Sequence, residues 1–190
     1  TYNIKAQQNN TNSLYHQVEI LKWLDEYNVP AVGIGIIKDG IIFECKVFGE
    51  LRKGVPARDD AIFAIASVTK PSVSMVTFKL VESGEWDLDE PLYKYWIDPD
   101  IVDDSTYKKL TTRNVLSHQS GFPNWRNDLE SKKLEFLFEP GTKYNYSGEG
   151  FEYLGKALEN KFSKSLDELS DSVLFKPLMM ENTKHRWIDS

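Results

Sequence analysis

The sequence predicts an α+β fold in which a helical region accompanies one N-terminal antiparallel hairpin. Two apolar runs, residues 31–37 and 41–48, flank the turn Lys38-Asp39-Gly40. Apolar runs on both sides of Asp-Gly are a strong signal of a β-hairpin. Further stretches carry apolar residues at helical spacing. Strands and helices do not alternate along the chain, which argues against a parallel sheet.

The helical segments can be bounded from their apolar spacing and from the breakers that follow them. The first ends at Asn28 and Pro30, the second at Gly84 and the last before Pro177. The second is apolar on most sides, so we expect it to be buried. In chain order, the predicted helices cover residues 13–27, 67–83, 110–118, a segment after Gly150 and residues 166–174.

One hairpin is a small amount of sheet for a chain of 190 residues. A two-stranded sheet is rarely stable alone. We therefore expect further antiparallel strands to come from outside this chain. On this interpretation residues 1–190 are the N-terminal part of a single domain, and the polar residues 1–12 are a linker.

Composition excludes several classes of function. The net charge is −6 and no run of Lys or Arg occurs, which disfavours nucleic acid and anionic membranes as partners. No stretch of about 18 apolar residues predicts a membrane-spanning helix. Three scattered histidines give no metal-ligand spacing, and the single Cys45 cannot form an internal disulfide. We expect neither a metal nor another cofactor.

The most informative stretch is Ser67-Val68-Thr69-Lys70, in which a serine and a lysine lie on one face of a helix. Pro71 lacks an N–H, so the helix should begin within about one turn of it, with Ser67 at the N-terminus. Amide dipoles there favour a developing negative charge. Lys70 precedes a proline and is therefore biased away from helix.

Spacing alone does not establish a nucleophile. The same Ser-x-x-Lys pattern occurs at Ser105 and Lys108, which we interpret as a solvated loop. Ser67 could also be only an N-cap, since serine is a favoured residue at helix starts. The residues that flank the motif distinguish a nucleophile from these alternatives.

Those residues resemble the nucleophile segment of the serine β-lactamase and penicillin-binding protein superfamily, in its class C-like branch. The segment reads Phe-Ala-Ile-Ala-Ser-Val-Thr-Lys-Pro at 63–71, and Leu-Val-Glu-Ser-Gly follows at 80–84. Residues 110–122 contain Leu-Ser-His-Gln-Ser-Gly, which resembles the family's Leu-x-His-x-Ser-Gly motif. Three further stretches resemble segments of the family and occur in the same order along the chain: residues 88–92, 140–147 and 175–183. The resemblance covers roughly residues 14–185 and implies a β-lactamase/transpeptidase-like fold.

The resemblance also implies roles for three catalytic residues. Ser67 would be acylated, Lys70 would lie beside its hydroxyl, and Tyr146 would be the third member. An unperturbed tyrosine has a pKa of about 10 and is a poor base at neutral pH. Tyr146 and Lys70 would act as a coupled pair, so either could be the general base.

Two departures from the family pattern bear on the substrate. The family usually has asparagine two residues after the tyrosine, whereas this chain has Gly148, and Glu149 is a weak candidate to replace it as a substrate contact. The third family motif, Lys-Thr-Gly or His-x-Gly, does not occur in the chain. We expect the missing amide to impair β-lactam turnover more than acylation.

His118 and several aromatic residues are further candidates for the site. His118 could act as a base, but its place in the motif favours a structural histidine at a helix end. Several aromatic residues could line a cleft, although core and loop packing is their more common use. They are Trp86, Tyr93, Tyr95, Trp96 and Trp125.

These observations predict a serine hydrolase that forms an acyl-enzyme on an amide or ester, such as a D-amino-acid peptide, a small ester or a β-lactam. One alternative is a non-catalytic, penicillin-binding-like sensor, and another is an interaction domain that keeps only the fold. The expected partner is a small-molecule or peptide substrate. The expected location is periplasmic, secreted or lipid-anchored, outside the cytoplasm. The sequence leaves the oligomeric state open, and residues 1–190 alone are expected to be nearly inactive.

Overall fold

The chain divides after Phe63 into two units, and the structure, a computed structural model, describes residues 17–186. The predicted linker at residues 1–12 lies outside the described part. The same is true of residues 13–16, where the first helix was predicted to begin.

The first unit contains one helix and a small antiparallel sheet. Helix α1 spans Gln17–Glu26, and strands β1 (Ala31–Lys38) and β2 (Ile41–Arg52) form the predicted hairpin. Asp39 and Gly40 both have positive φ, 52° and 76°, as a tight two-residue hairpin turn requires. A short strand β3, Val55–Pro56, which was not predicted, pairs with the end of β2. The sheet order is β1-β2-β3, so β1 is an edge strand within the described residues.

The second unit is helical. Its α-helices are α2 (Thr69–Glu82), α3 (Thr112–Leu116), α4 (Gly148–Phe162) and α5 (Leu166–Ser170), and a π-helical segment, Asp171–Phe175, continues α5. Short 3-10 helices occupy Ala66–Val68, Leu92–Lys94, Pro99–Ile101, Ser105–Lys109 and Arg126–Asp128.

Helix α2 is buried on one side only. Val73, Val76 and Leu80 face the core of the second unit, where α2 contacts α4 and α5. Met75 and Phe78 are 49% and 46% exposed. The prediction that this helix is buried on most sides is therefore wrong for this face, because none of the described residues covers it. Its apolar sequence signalled burial without showing which element would provide it.

Backbone hydrogen bonds join the loop that follows α3 to the segment around Tyr146, which leads into α4. The chain reverses at His118, which has a φ of 55°, and the His118 carbonyl accepts a hydrogen bond from the Asn145 N–H at 2.8 Å. Further along, the Asn124 carbonyl accepts bonds from the N–H groups of Gly148 and Glu149, both at 3.0 Å. These bonds fix Asn145 and the first two residues of α4 against the loop that follows α3.

Candidate active site

Ser67 lies on the 3-10 turn that leads directly into α2, as the position of Pro71 predicted. Pro71 is the third residue of α2, where a missing N–H costs no helical hydrogen bond. Ala66, immediately before the serine, has a φ of 43°, a conformation that a residue with a side chain adopts at a cost of about 1–2 kcal/mol. Such strain is common at functional sites. On this turn Ser67 is exposed at the surface.

Lys70 is directed at the serine. Its Nζ donates a hydrogen bond to Ser67 Oγ at 3.2 Å. Lys70 is helical despite the proline after it, since it lies in the first turn of α2. Aromatic rings surround the ammonium group, with centroids at 4.8 Å for Tyr146, 5.7 Å for Phe151 and 6.0 Å for Trp125. At these distances the ring faces attract a cation.

Tyr146 brings its hydroxyl group to the same place. Its ring centroid lies 4.8 Å from Lys70 Nζ. The interaction of the phenol with Lys70, followed by that with Ser67, lowers the pKa of Tyr146 below its ordinary value. The structure thus brings together the three residues that the sequence singled out. Ser105, from the second Ser-x-x-Lys pattern, lies on an exposed 3-10 helix rather than in the predicted loop.

His118 packs against Tyr146 and is hydrogen-bonded to the residue that follows it. Its ring packs on Tyr146 with a centroid distance of 4.5 Å, and its Nδ1 accepts the Ser147 N–H at 3.1 Å. A ring nitrogen that accepts this bond carries no proton, so the proton of the neutral ring is on Nε2. Burial, followed by the charge of Lys70, lowers the pKa of His118. These contacts favour the structural role that the sequence predicted.

Gly148 is buried, and an aromatic ring fills the space beside it. A Cβ added at Gly148 would lie 2.5 Å from Cη2, 2.7 Å from Cζ2 and 2.8 Å from Cζ3 of Trp125. Trp125 is 42% exposed and was not predicted as a site residue, because packing was preferred for all the loop aromatics. That preference holds for Trp86, which is 4% exposed and donates its indole N–H to Thr112. The missing side chain at position 148 was the signal that could have identified Trp125.

Glu149 is buried, and its carboxylate is occupied. It accepts hydrogen bonds from the backbone N–H of Arg126 at 2.9 Å and from Nε and Nη2 of the same residue. Arg126 also pairs with Asp98 and Asp100. The bonds to Glu149 and Asp98 raise the pKa of the guanidinium group. This engagement favours a structural role for Glu149 over the predicted contact with substrate.

Residues 17–186 contain neither a metal-binding cluster nor a membrane-spanning helix. Between residues 17 and 186, no group of three or more His, Cys, Asp or Glu side chains is placed to hold a metal ion. No helix in that range combines the length and the apolar character needed to span a bilayer.

Comparison with known proteins gives one family. The family model described as Beta-lactamase matches residues 15–187. Protein flp from Staphylococcus aureus (strain MW2) is 25% identical over 177 residues, which are 84% of this chain and 36% of flp. The chain therefore spans about a third of the length of this curated relative.

Solved structures show the same fold. An octameric penicillin-binding protein homologue from Pyrococcus abyssi matches with a TM-score of 0.68 and 27% identity, over 86% of this chain and 42% of that one. A D-amino acid amidase from Ochrobactrum anthropi SV3 matches with a TM-score of 0.74 and 23% identity, over 91% of this chain and 54% of that one. The predicted α+β, β-lactamase/transpeptidase-like fold is confirmed, whereas the class C-like branch stays a prediction. With the family model matched from residue 15 to residue 187, the chain belongs to the beta-lactamase family.

Proposed function

We propose that this chain carries the nucleophile of a serine hydrolase that acts through an acyl-enzyme. The observation that carries the proposal is the arrangement at the start of α2. Lys70 Nζ lies 3.2 Å from Ser67 Oγ and 4.8 Å from the centroid of the Tyr146 ring, and both side chains lower the pKa of the Tyr146 phenol. An activated nucleophile needs a serine within hydrogen-bond reach of a group that can take its proton.

The proposed reaction has two steps. Ser67 Oγ attacks the carbonyl carbon of an amide or ester, and its proton passes to the Tyr146–Lys70 pair. The carbonyl oxygen becomes negative in the tetrahedral intermediate, where the amide dipoles at the helix start favour the charge. The leaving group departs with a proton from the pair, which leaves the acyl group on Ser67. Water then repeats the sequence, releasing a carboxylic acid and restoring the serine.

The pair is proposed to act as one unit. The pKa of Tyr146 is lowered by its bonds with Lys70 and Ser67, so its phenolate is more accessible than that of a free tyrosine. Because Lys70 Nζ lies 4.8 Å from the Tyr146 ring centroid, the protonation states of the two groups depend on each other. The proposal assigns the base to the pair rather than to one residue.

The proposed substrate class is an amide or ester: a D-amino-acid peptide, a small ester or a β-lactam. The D-amino acid amidase supports this class only through its shared fold. Among these, we favour esters, because Gly148 offers no side-chain amide to a β-lactam. The proposed partner is thus a small molecule or a peptide. A location outside the cytoplasm stays a prediction, which fractionation of cells producing the full-length protein would check.

A covalent probe tests the nucleophile. The full-length protein is treated with a fluorophosphonate, and the modified peptide is identified by mass spectrometry. We expect the label on Ser67 and no labelling in Ser67→Ala, while Ser105→Ala is labelled like the unmodified protein. A label on another residue, or unchanged labelling in Ser67→Ala, contradicts the assignment.

The alternative of a non-catalytic sensor is favoured by one feature, the absence of a side chain at Gly148. A sensor would be acylated by a fluorescent penicillin and would keep the label for hours. A hydrolase would release it and would turn over p-nitrophenyl acetate continuously. Measuring both on the same preparation separates the two functions.

A further inference from the structure

We propose that Trp125 is a positioning and specificity-determining residue of this site, an inference that rests on the proposed acyl-transfer function. Its indole occupies the space of a side chain at position 148 and closes one side of Lys70. Position 148 therefore supplies no side-chain amide to the site, and the site favours esters over β-lactams.

Glycine at position 148 is favoured by the space available and not by backbone conformation. Gly148 is the first residue of α4, and its φ is outside the left-handed region that favours glycine. Any residue could adopt this backbone. A Cβ there would nevertheless lie 2.5 Å from Trp125 Cη2, a distance that real Cβ atoms essentially never show. Position 148 and Trp125 thus compete for one volume.

The backbone on both sides of Trp125 is fixed, so the indole cannot leave by a simple loop movement. Before it, the Asn124 carbonyl accepts the N–H groups of Gly148 and Glu149 at 3.0 Å each. After it, the Arg126 N–H donates to Glu149 at 2.9 Å, and the guanidinium group is held by three carboxylates. Only the torsions of the Trp125 side chain remain free to make room.

The indole offers Lys70 a different environment from that of an amide. Its centroid lies 6.0 Å from Lys70 Nζ, where the ring face attracts the cation without accepting a hydrogen bond from it. The indole has one N–H donor and no oxygen. The ammonium group is thus directed to Ser67 and Tyr146. Esters with a good leaving group need no further polar contact, whereas the nitrogen of a β-lactam must gain a proton as it leaves.

A double-mutant cycle in the full-length protein tests this competition. The variants are Gly148→Asn, Trp125→Ala and both together, assayed for kcat/KM with p-nitrophenyl acetate and with nitrocefin. We expect Gly148→Asn alone to lose about tenfold in ester hydrolysis, because the indole is displaced from Lys70. In the double variant the amide has room, and the ratio of nitrocefin to ester activity should rise about tenfold above that of the unmodified protein. Coupling of this size is usual for residues in contact.

Controls separate a specific role from a general one. Trp125→Phe keeps an aromatic ring and should keep the ester preference, while Tyr93→Ala, at a 37% exposed aromatic residue whose ring packs on Tyr107 outside the site, should leave both rates unchanged. Thermal unfolding shows which variants fold. If Gly148→Asn does not fold, Gly148→Ala replaces it, because a single Cβ already meets the ring.

The outcomes distinguish this inference from the function on which it rests. Effects that simply multiply in the double variant, or a Gly148→Asn variant with unchanged rates, overturn the role of Trp125 even though Ser67 is labelled by the fluorophosphonate. Absence of labelling at Ser67 in the unmodified protein overturns the proposed function instead.

Discussion

Tyr146 is the residue at which the site's interactions converge. Its phenol interacts with Lys70 and Ser67, which lower its pKa, and its ring packs against His118. The hydroxyl and the ring therefore have separable roles, one in proton transfer and one in packing. Replacing the tyrosine by phenylalanine removes the first and keeps the second.

We predict that Tyr146→Phe lowers kcat for ester hydrolysis by about 10²–10⁴, the usual contribution of a positioned acid or base. KM should change little, because the ring stays in place. Steady-state kinetics on the full-length protein measures both. Tyr144→Phe is the matched control: Tyr144 also contacts His118, with ring centroids 5.9 Å apart, but its side chain is largely exposed. Equal losses in the two variants contradict the proposed role of Tyr146.

His118 makes the stability of the protein depend on pH. Its pKa is lowered in the folded state, mainly by burial and then by the charge of Lys70. As the pH falls, the unfolded chain binds the proton first. The contribution of His118 to the free energy of unfolding is therefore complete above about pH 6.5, the value of an unperturbed histidine. It decreases as the pH falls from there through the lower, folded-state pKa.

The variant His118→Asn isolates this effect. Asparagine tolerates the positive φ of 55° and keeps an oxygen that can accept the Ser147 N–H, but it does not titrate. We expect urea unfolding between pH 7.5 and 5 to show a smaller loss of stability in the variant. His185, whose pKa is also lowered by burial, contributes equally to both proteins and cancels. Identical pH profiles would rule out His118 as a source of the pH dependence.

At the scale of elements, the loop after α3 is fixed to the start of α4 by Arg126. Nη2 of Arg126 pairs with Asp98 and with Glu149 at 2.9 and 2.8 Å, and Nη1 pairs with Asp100 at 2.8 Å. The side chains of Asp98 and Glu149 are only 11% and 8% exposed. Removing the arginine would leave these carboxylates buried without their main partner.

We predict that Arg126→Met destabilises the protein by about 3 kcal/mol, as is usual when one partner of a buried ion pair is removed. Arg113→Met is the control, because Arg113 pairs with Asp89 at the surface, where both side chains are more than half exposed. That change should cost less than about 1 kcal/mol. Urea unfolding at one pH measures both values. A loss in Arg126→Met no larger than in the control would mean that the cluster contributes little to stability.

The sequence located the elements better than it located their ends. The turn at Asp39 and Gly40 was predictable because both residues tolerate positive φ, and Pro71 correctly limited the start of α2. Helix α4 begins at Gly148, three residues before Phe151, where a helix after Gly150 was predicted to start. Gly-Glu-Gly resembles a loop, but the Ser147 hydroxyl accepts the Gly150 N–H at 2.9 Å and starts the helix earlier.

Contacts between distant parts of the chain were the least predictable feature of the site. The sequence identified Ser67, Lys70 and Tyr146 through a family resemblance, since a tyrosine 79 residues from the serine carries no spacing signal of its own. It did not identify Trp125, whose importance depends on the space left by Gly148. It also left Glu149 as a candidate contact, because pairing with Arg126 depends on how two loops meet.

At the scale of the whole molecule, the described residues expose apolar surface that a stable domain usually covers. At the tip of the hairpin, Ile37, Ile41 and Ile42 are 73%, 70% and 64% exposed. Met75 and Phe78 are exposed on α2, the helix that also carries Lys70. Strand β1 pairs only with β2 among the described residues. An exposed edge strand and apolar patches of this kind promote association between molecules.

We therefore predict that residues 1–190, produced alone, associate and have little esterase activity, whereas the full-length protein is active. The physical reason is that the negative oxygen of the tetrahedral intermediate needs N–H donors besides those at the start of α2, and we expect one from a sheet strand outside this chain. Losing one such donor typically costs about 10²–10³ in kcat. Light scattering gives the oligomeric state, and p-nitrophenyl acetate hydrolysis gives the activity, with Ser67→Ala in the same polypeptide as the background. A monomeric preparation with the activity of the full-length protein would contradict both the missing strands and the missing donor.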